Sequence, residues 1–343
     1  MTLLLRDQTL ETSTVAVRRE PLGIGTTTPL EAFERDRLAL FARYGCEAES
    51  RRVGDRERLT NLLVRGAGAH PTVLLHGGLS QSGEWAPLAG KLPGHVVIPD
   101  RPGCGLSYPI DYRGVDYRKA AADWLSDLLD EIDAEQVDLV GNSMGGFFSI
   151  AFAVAHPDRV RRLVLVGASA GLDRQLPLFI RLWGNPVIGP LLVKAGMTAP
   201  RDGEVLRDRV FARLLVAHPE EVPLDILELA VVAQALPGVE RSSYSMLRAV
   251  TTLRGWRREL TMRDALASLR VPTRFLWGDA DAFAPPSSGR EMVARMPDAA
   301  IEVIPDTGHL PHLERPDAVA NAIVGLGECG RSDSAIRTRR RKR

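Results

Sequence analysis

The residues with the clearest chemistry lie at 141–146, which read Gly-Asn-Ser-Met-Gly-Gly. They follow a short apolar run and precede the apolar residues 147–152, so the segment predicts a strand, a sharp turn and a helix. Glycines at 141 and 145 let the strand and helix backbones approach without a Cβ clash. Ser143 is then held at the apex of the turn with its hydroxyl outward, beside the unpaired N–H groups of a helix start. The pattern indicates a serine nucleophile for acyl transfer.

A serine hydroxyl needs a general base at neutral pH, and that base needs a third group to orient it. His309 follows the predicted strand 301–304 on a glycine-containing loop, and Asp281 follows the predicted strand 273–277. We prefer Asp281 to Asp279 because it lies farther beyond the strand end, although either could instead be a turn or cap residue. The order Ser, Asp, His along the chain fits a nucleophile elbow on an α/β sheet.

The developing oxyanion of acyl transfer needs backbone N–H donors. One donor should be Met144, at the helix start after the nucleophile. The second should be Gly78, in the His-Gly-Gly-Leu loop that follows the predicted strand 72–75. We expect His76 to brace this loop.

Two further patterns could suggest a metal or a cofactor. His309, His312 and Glu314 are close in sequence, but no third cluster and no His-Glu-x-x-His pattern supports a metal site. Residues 100–107 are rich in glycine, but they lack the Lys-Ser/Thr ending and the third glycine of nucleotide-binding loops. We therefore expect neither a metal nor a cofactor.

Short apolar runs alternate with helical patterns through most of the chain, which predicts a mostly parallel sheet with helices on both faces. The runs are 72–75, 95–98, 137–140, 163–166, 273–277 and 301–304. In such a sheet the chemistry gathers at the carboxyl ends of the strands. An earlier strand within 58–65 should pair antiparallel with the segment near 48–53.

The alternation of strands and helices stops between about 171 and 267, where helix-compatible segments predict an inserted helical cap. These segments are 176–183, 187–195, 205–216, 226–236 and 242–253. The predicted organisation is an N-terminal extension with one helix (1–45), a core (46–170 and 268–328), the cap (171–267) and a disordered basic tail (329–343). In the extension, Thr28, Pro29 and Glu31 predict the helix start.

The composition is that of an ordinary globular protein, with 343 residues, 45% hydrophobic and 25% charged. We expect no transmembrane span and, with three scattered cysteines, a cytoplasmic protein without a disulfide framework. Residues 331–343 hold seven basic residues and one acid. Such a run could bind nucleic acid or a membrane surface, but no aromatic residue interrupts it, so we expect a solvated terminus and no nucleic-acid partner.

Together these motifs resemble the α/β-hydrolase superfamily over roughly residues 58–327. The resemblance implies that Ser143 is the nucleophile, His309 the base and Asp281 its orienting acid, with Gly78 and Met144 as the oxyanion donors. It also implies an α/β-hydrolase fold with a helical cap.

The expected function is hydrolysis of a small, largely apolar ester through an acyl-enzyme. A second candidate is a hydrolase that cleaves carbon–carbon bonds in ring-fission products, because Gly-Asn-Ser-Met-Gly-Gly resembles the nucleophile elbow of those enzymes. We rank it second because those enzymes usually carry a longer oxyanion loop with a proline, and a Trp after the catalytic His where Leu310 stands here. The sequence is also compatible with a cofactor-free perhydrolase and with a non-catalytic protein that binds a small ligand.

Overall fold

The computed structural model describes residues 28–195 and 200–325. The strands within these ranges are β1 (Glu49–Val53), β2 (Thr60–Arg65), β3 (Thr72–Leu75), β4 (Val96–Pro99), β5 (Val137–Asn142), β6 (Val160–Val166), β7 (Thr251–Thr252), β8 (Gly255–Trp256), β9 (Thr273–Gly278) and β10 (Ala299–Ile304). The first 27 residues and the basic tail, for which the sequence predicts loose structure, lie outside the described residues.

The α-helices are α1 (Pro29–Arg43), α2 (Ala86–Ala89), α3 (Tyr117–Glu131), α4 (Met144–Ala155), α5 (Leu178–Trp183), α6 (Ile188–Lys194), α7 (Gly203–Leu206), α8 (Leu224–Gln234), α9 (Val239–Val250), α10 (Arg263–Ala267), α11 (Pro286–Val293) and α12 (Pro311–Glu314). Residues 316–325 are also helical. Short 3-10 helices lie at Ser82–Trp85, Pro157–Arg159, Pro219–Glu221 and Arg258–Leu260, and Arg207–Leu215 is a π-helix.

Eight strands form one sheet in the order β1-β2-β4-β3-β5-β6-β9-β10. From β4 to β10 the neighbouring strands are parallel, whereas β1 and β2 are antiparallel to their neighbours. Leu75 is in register with Gly141, and Gly141 with Leu165, so the carboxyl ends of β3, β5 and β6 lie at one edge. The predicted mostly parallel α/β fold is confirmed.

Successive residues of the central strands point to opposite faces of the sheet, and each face is covered by helices. Val73 and Leu139 pack in the cluster that contains the apolar residues of α3 and α4. Leu74 and Val140 pack in the second cluster, with the apolar residues of α1 and of 316–325. Both faces of the central sheet are therefore buried.

Helix α1 begins with the predicted capping box, in which Thr28 and Glu31 bond each other's backbone N–H. It also buries Arg37 completely. The Arg37 guanidinium donates to Asp100 Oδ2 at 2.6 Å, to Asn61 Oδ1 at 2.6 Å and to Ser82 Oγ at 3.0 Å. Asp100 follows β4, so this ion pair ties the N-terminal helix to the sheet beneath the loops at its carboxyl edge.

We expect Arg37→Met to destabilise the protein by about 3–5 kcal/mol, because it leaves the carboxylate of Asp100 buried without its counter-charge. Urea unfolding gives the free energy of unfolding directly. Arg35→Met is the matched control, since Arg35 pairs with Asp36 at the surface and such pairs contribute about 0–1 kcal/mol. Equal losses in the two variants would contradict this account.

The cap between β6 and β9 is mostly helical, as predicted, but it differs in two places. The sequence prediction missed the hairpin β7–β8, whose strands of two residues are too short to show an alternating pattern. Gly255 makes its turn possible, with φ of 109° and a hypothetical Cβ only 2.0 Å from the Arg174 carbonyl oxygen. The helix predicted over 205–216 is α7 followed by the π-helix.

Candidate active site

Ser143 lies in the turn between β5 and α4, with φ of 50° and ψ of −110°. Such a conformation is rare for a residue other than glycine and is found where the surrounding structure enforces it. The enforcement comes from close packing, since a Cβ on Gly145 would lie 2.0 Å from the Leu75 carbonyl oxygen. A Cβ on Gly141 would lie 2.6 Å from the carbonyl carbon of Gly145. The predicted elbow geometry is therefore present.

Asp281 and His309 come together from the ends of β9 and β10. His309 Nδ1 lies 2.9 Å from Asp281 Oδ2 and 3.1 Å from Oδ1, and both residues are buried. Asp281 also accepts hydrogen bonds from the backbone N–H of Ala168 at 2.8 Å and of Phe283 at 2.9 Å. Asp279, the alternative acid, instead accepts from the backbone N–H of Thr307 at 3.3 Å.

Several interactions set the charge of the Asp281 carboxyl. Burial raises its pKa, but the neighbouring His309 and the two backbone N–H donors favour the carboxylate more strongly. Its pKa consequently lies below the ordinary value, so the carboxylate is charged at neutral pH. A charged acceptor at Nδ1 holds the proton of His309 on that nitrogen and leaves Nε2 with a free lone pair.

The second ring nitrogen of His309 can take a proton. Nε2 is buried and has no hydrogen-bond partner among the described residues, Ser143 included. The hydrogen bond between a serine nucleophile and its histidine base is often long before substrate binds, and it shortens in the complex. The imidazole also stacks on Phe283, with ring centroids 4.1 Å apart, which fixes the plane of the ring.

Backbone contacts hold the loop of His309 against the elbow and the cap. Asn142 Nδ2 donates to the carbonyl oxygens of Val166 at 2.8 Å and His309 at 3.0 Å. His309 N donates to the carbonyl oxygen of Leu215, the last residue of the π-helix, at 2.8 Å. π-Helical segments occur frequently at functional sites. Here one connects the cap to the loop that carries the candidate base.

The two predicted oxyanion donors lie side by side. A Cβ on Gly78 would be 3.7 Å from the Cβ of Met144, so the loop after β3 runs past the first turn of α4. Met144 is the first residue of that helix, where backbone N–H groups have no partner within the helix. The two residues expected to stabilise the oxyanion are therefore neighbours in the structure.

Sequence reasoning missed the two buried charged residues that hold this loop. Glu84 Oε1 accepts from the backbone N–H of Gly77 at 2.8 Å. Arg101 donates to the carbonyl oxygens of His76 at 3.0 Å and Gly77 at 2.6 Å. The sequence signal was that Glu84 stands among small and apolar residues and that Arg101, with Asp100, directly follows a buried strand, where a charged residue needs a partner.

His76 braces the loop in its neutral form. Its Nε2 accepts from the backbone N–H of Arg101 at 3.0 Å. Burial, with the nearby Arg101 charge, lowers its pKa to about 4. The ring is therefore uncharged at neutral pH and serves as an acceptor.

The ring of His312, considered above as a metal ligand, packs against Trp85 at a tilt of 31°, with ring centroids 4.2 Å apart, and its Nε2 lies 3.7 Å from Glu84 Oε1. Within the ranges that the structure describes, no group of three or more His, Cys, Asp or Glu side chains could hold a metal ion. Across the same ranges no helix is long and apolar enough to cross a membrane.

Comparison with known proteins gives a family match and named relatives. The profile of the family described as "Alpha/beta hydrolase family" matches residues 72–322. The 2-hydroxy-6-oxononadienedioate/2-hydroxy-6-oxononatrienedioate hydrolase of Cupriavidus pinatubonensis is 29% identical over 289 residues, which are 79% of this chain and 91% of that protein. The 2-hydroxy-6-oxo-2,4-heptadienoate hydrolase of Pseudomonas putida is 30% identical over 266 residues, 75% of this chain and 88% of that protein.

Solved structures of similar fold include two kinds of enzyme. The 2-hydroxy-6-oxo-6-phenylhexa-2,4-dienoate hydrolase of a Rhodococcus species superposes with a TM-score of 0.68 and 23% identity, covering 82% of this chain and 98% of that one. The naproxen esterase of Bacillus subtilis gives a TM-score of 0.64 and 21% identity, covering 87% and 96%. At such identities these likenesses show the fold.

Proposed function

Because the chain belongs to the alpha/beta hydrolase family, we propose that it hydrolyses a carbon–carbon bond in a 2-hydroxy-6-oxo-dienoate through a covalent acyl-enzyme. From the sequence alone this reaction ranks second to ester hydrolysis. It moves ahead because relatives at 29–30% identity, matched over about nine-tenths of their length, are named as hydrolases of such dienoates.

The named compounds themselves dictate which bond must break. A 2-hydroxy-6-oxo-dienoate has neither an ester nor an amide bond, so its hydrolysis must split a carbon–carbon bond beside the 6-oxo group. Protonation of the diene on the carbon next to that group first converts the 2-hydroxyl into a ketone. The electron pair released by cleavage can then delocalise through the remaining double bond onto the 2-oxygen.

In the proposed reaction Ser143 Oγ attacks the 6-oxo carbon while His309 Nε2 takes its proton. The N–H groups of Gly78 and Met144 stabilise the oxyanion that forms. The carbon–carbon bond then breaks, and the released enolate takes the proton held on His309 Nε2 to give a hydroxydienoate, which leaves His309 neutral again. Water, deprotonated by His309, attacks the acyl group on Ser143 and releases a carboxylic acid. Asp281 orients His309 and stabilises its positive charge throughout.

The observation that carries the acyl-enzyme part of the proposal is the buried Asp281–His309 pair, with Nε2 unpartnered among the described residues, beside a serine in a strained elbow. A protein that only binds a ligand has no need of a charged carboxylate bonded to Nδ1 of a buried imidazole whose Nε2 is free. The same pair would also serve ester hydrolysis. The buried Leu310 favours an ester hydrolase as second candidate, because it stands where carbon–carbon hydrolases of this kind usually carry a Trp.

A substrate comparison separates these reactions. We expect purified protein to consume 2-hydroxy-6-oxohepta-2,4-dienoate with a higher kcat/KM than p-nitrophenyl acetate or butyrate. The loss of dienoate absorbance measures the first reaction, and the release of nitrophenol measures the ester reactions. Faster turnover of either ester would favour the carboxylic ester hydrolase. If no substrate is turned over and a fluorophosphonate does not label the protein, a non-catalytic binding protein is the better account.

A further inference from the structure

The cap carries a concentrated patch of exposed apolar side chains. We define the cap patch as Leu178 and Phe179 of α5, Val187 before α6, Leu191 of α6 and Leu253 in the β7–β8 turn. Their exposed fractions are 60%, 39%, 69%, 58% and 49%. They are five of the ten exposed large apolar residues found in the described ranges. Single exposed leucines are ordinary, but four exposed large apolar residues within 178–191, with Leu253 on the turn that Arg181 binds, indicate an interaction surface.

The α5–α6 hairpin does not use these side chains in the core. No residue of α5 is buried, and Gly189 is the one buried residue of α6. The hairpin is nevertheless attached, because a Cβ on Gly184 would lie 1.9 Å from Thr251 Oγ1. Arg181 donates to the Leu253 carbonyl oxygen at 3.3 Å, which joins the β7–β8 turn to the hairpin. The hairpin is therefore fixed on the cap, while the side chains of the patch remain exposed to solvent.

The charged residues on the stretch of chain that carries α5 and α6 are all basic. No acidic residue occurs in 174–201, which contains Arg174, Arg181, Lys194 and Arg201. Three of these cations are exposed, and Arg181 is half-buried. An exposed apolar segment that carries cations and no acid complements an anionic lipid surface, where both parts contribute to binding. Glu240 on the neighbouring helix α9 is an acid near this segment, close to Tyr244.

An aromatic pair supports the same interpretation. Trp183 at the end of α5 and Tyr244 of α9 lie with ring centroids 6.0 Å apart, and both are partly exposed. Trp and Tyr are enriched at the level of lipid headgroups, because one end of each ring is apolar and the opposite end polar. We propose that the cap patch docks on the surface of an anionic lipid bilayer.

The test is co-sedimentation of the full chain with vesicles of phosphatidylcholine alone or mixed with phosphatidylglycerol. We expect binding to the mixed vesicles, weakened by added salt. Val187→Ser should reduce that binding about tenfold, because it removes apolar surface from the bilayer contact. Lys194→Gln should reduce it about fivefold on mixed vesicles, with no effect on phosphatidylcholine vesicles.

Val232→Ser is the matched control, because Val232 is a valine 47% exposed on α8 outside the patch. It should leave binding unchanged. Binding that survives Val187→Ser unaltered would assign the contact to another part of the chain, such as the basic residues of 331–343, and overturn the proposal. The proposal is also overturned if the wild-type chain binds neither kind of vesicle. It is overturned as well if the effect of Val187→Ser is only to dissociate a dimer that analytical ultracentrifugation detects in the wild type.

Discussion

Replacing Ser143 with alanine should abolish turnover, lowering kcat by about a millionfold on the preferred substrate. The variant removes the atom that forms the acyl-enzyme and leaves the rest of the elbow in place. Alanine has the same Cβ and meets the same φ of 50°. The measurement is single-turnover decay of the dienoate, together with mass spectrometry of the protein after treatment with a fluorophosphonate.

The folded state must be shown to survive this substitution. Ser143→Ala should therefore have the same far-ultraviolet circular dichroism and the same urea midpoint as the wild type. Labelling that persists in the variant would place the nucleophile elsewhere. Retained turnover without labelling would mean that water attacks directly, and that no acyl-enzyme forms.

Changing Asp281 to asparagine should cost about 10⁴-fold in kcat with little effect on substrate binding. The backbone N–H groups of Ala168 and Phe283 already donate to the two carboxylate oxygens. An asparagine can accept through one oxygen only, and its amide would present an N–H group toward either His309 or one of these donors. His309 would then lose both its preferred tautomer and the charge that stabilises its protonated form.

Asp279→Asn is the matched control, two residues away on the same loop. Asp279 accepts one hydrogen bond from the Thr307 backbone, which an asparagine oxygen can also accept. We expect its kcat to stay within about threefold of the wild type, a change too small to reflect a lost catalytic interaction. A larger loss for Asp279→Asn than for Asp281→Asn would mean that the orienting acid has been assigned to the wrong residue.

The sequence was sufficient to place Ser143, Asp281 and His309 at one edge of the sheet. Each follows a run of strand-forming residues, and parallel strands must end at the same edge. The choice of Asp281 over Asp279 as the orienting acid could be argued because a residue farther beyond the strand end reaches farther across that edge. In the structure it is Asp281 that meets His309.

Long-range contacts between buried charges could not be predicted in the same way. Arg37 and Asp100 are 63 positions apart, and no local pattern relates a residue on an amphipathic helix to one after a strand. The contacts of Glu84 and Arg101 could not be predicted either, because their partners are backbone groups of the loop that follows β3. The π-helix at Arg207–Leu215 resembles an ordinary helix in sequence, since the wider turn depends on how the cap packs.

The substrate class was the weakest part of the sequence prediction. The elbow and the triad residues are shared by ester and carbon–carbon hydrolysis, so they cannot rank the two. Leu310 and the short glycine loop pointed to esters, whereas the named relatives favour dienoates. The cap residues that would distinguish the substrates have no pattern of their own, because apolar residues that pack in a small core and apolar residues that face a substrate have the same helical spacing.

The ion pair between Arg37 and Asp100 also bears on modularity. The segment matched by the family profile begins at residue 72, so it contains Asp100 but neither Arg37 nor Asn61. A fragment cut at that boundary would keep a buried anion whose counter-charge was left behind. We therefore expect the smallest autonomous folding unit of this protein to be larger than the segment that the family profile matches, and a transplantable version of the site to need helix α1.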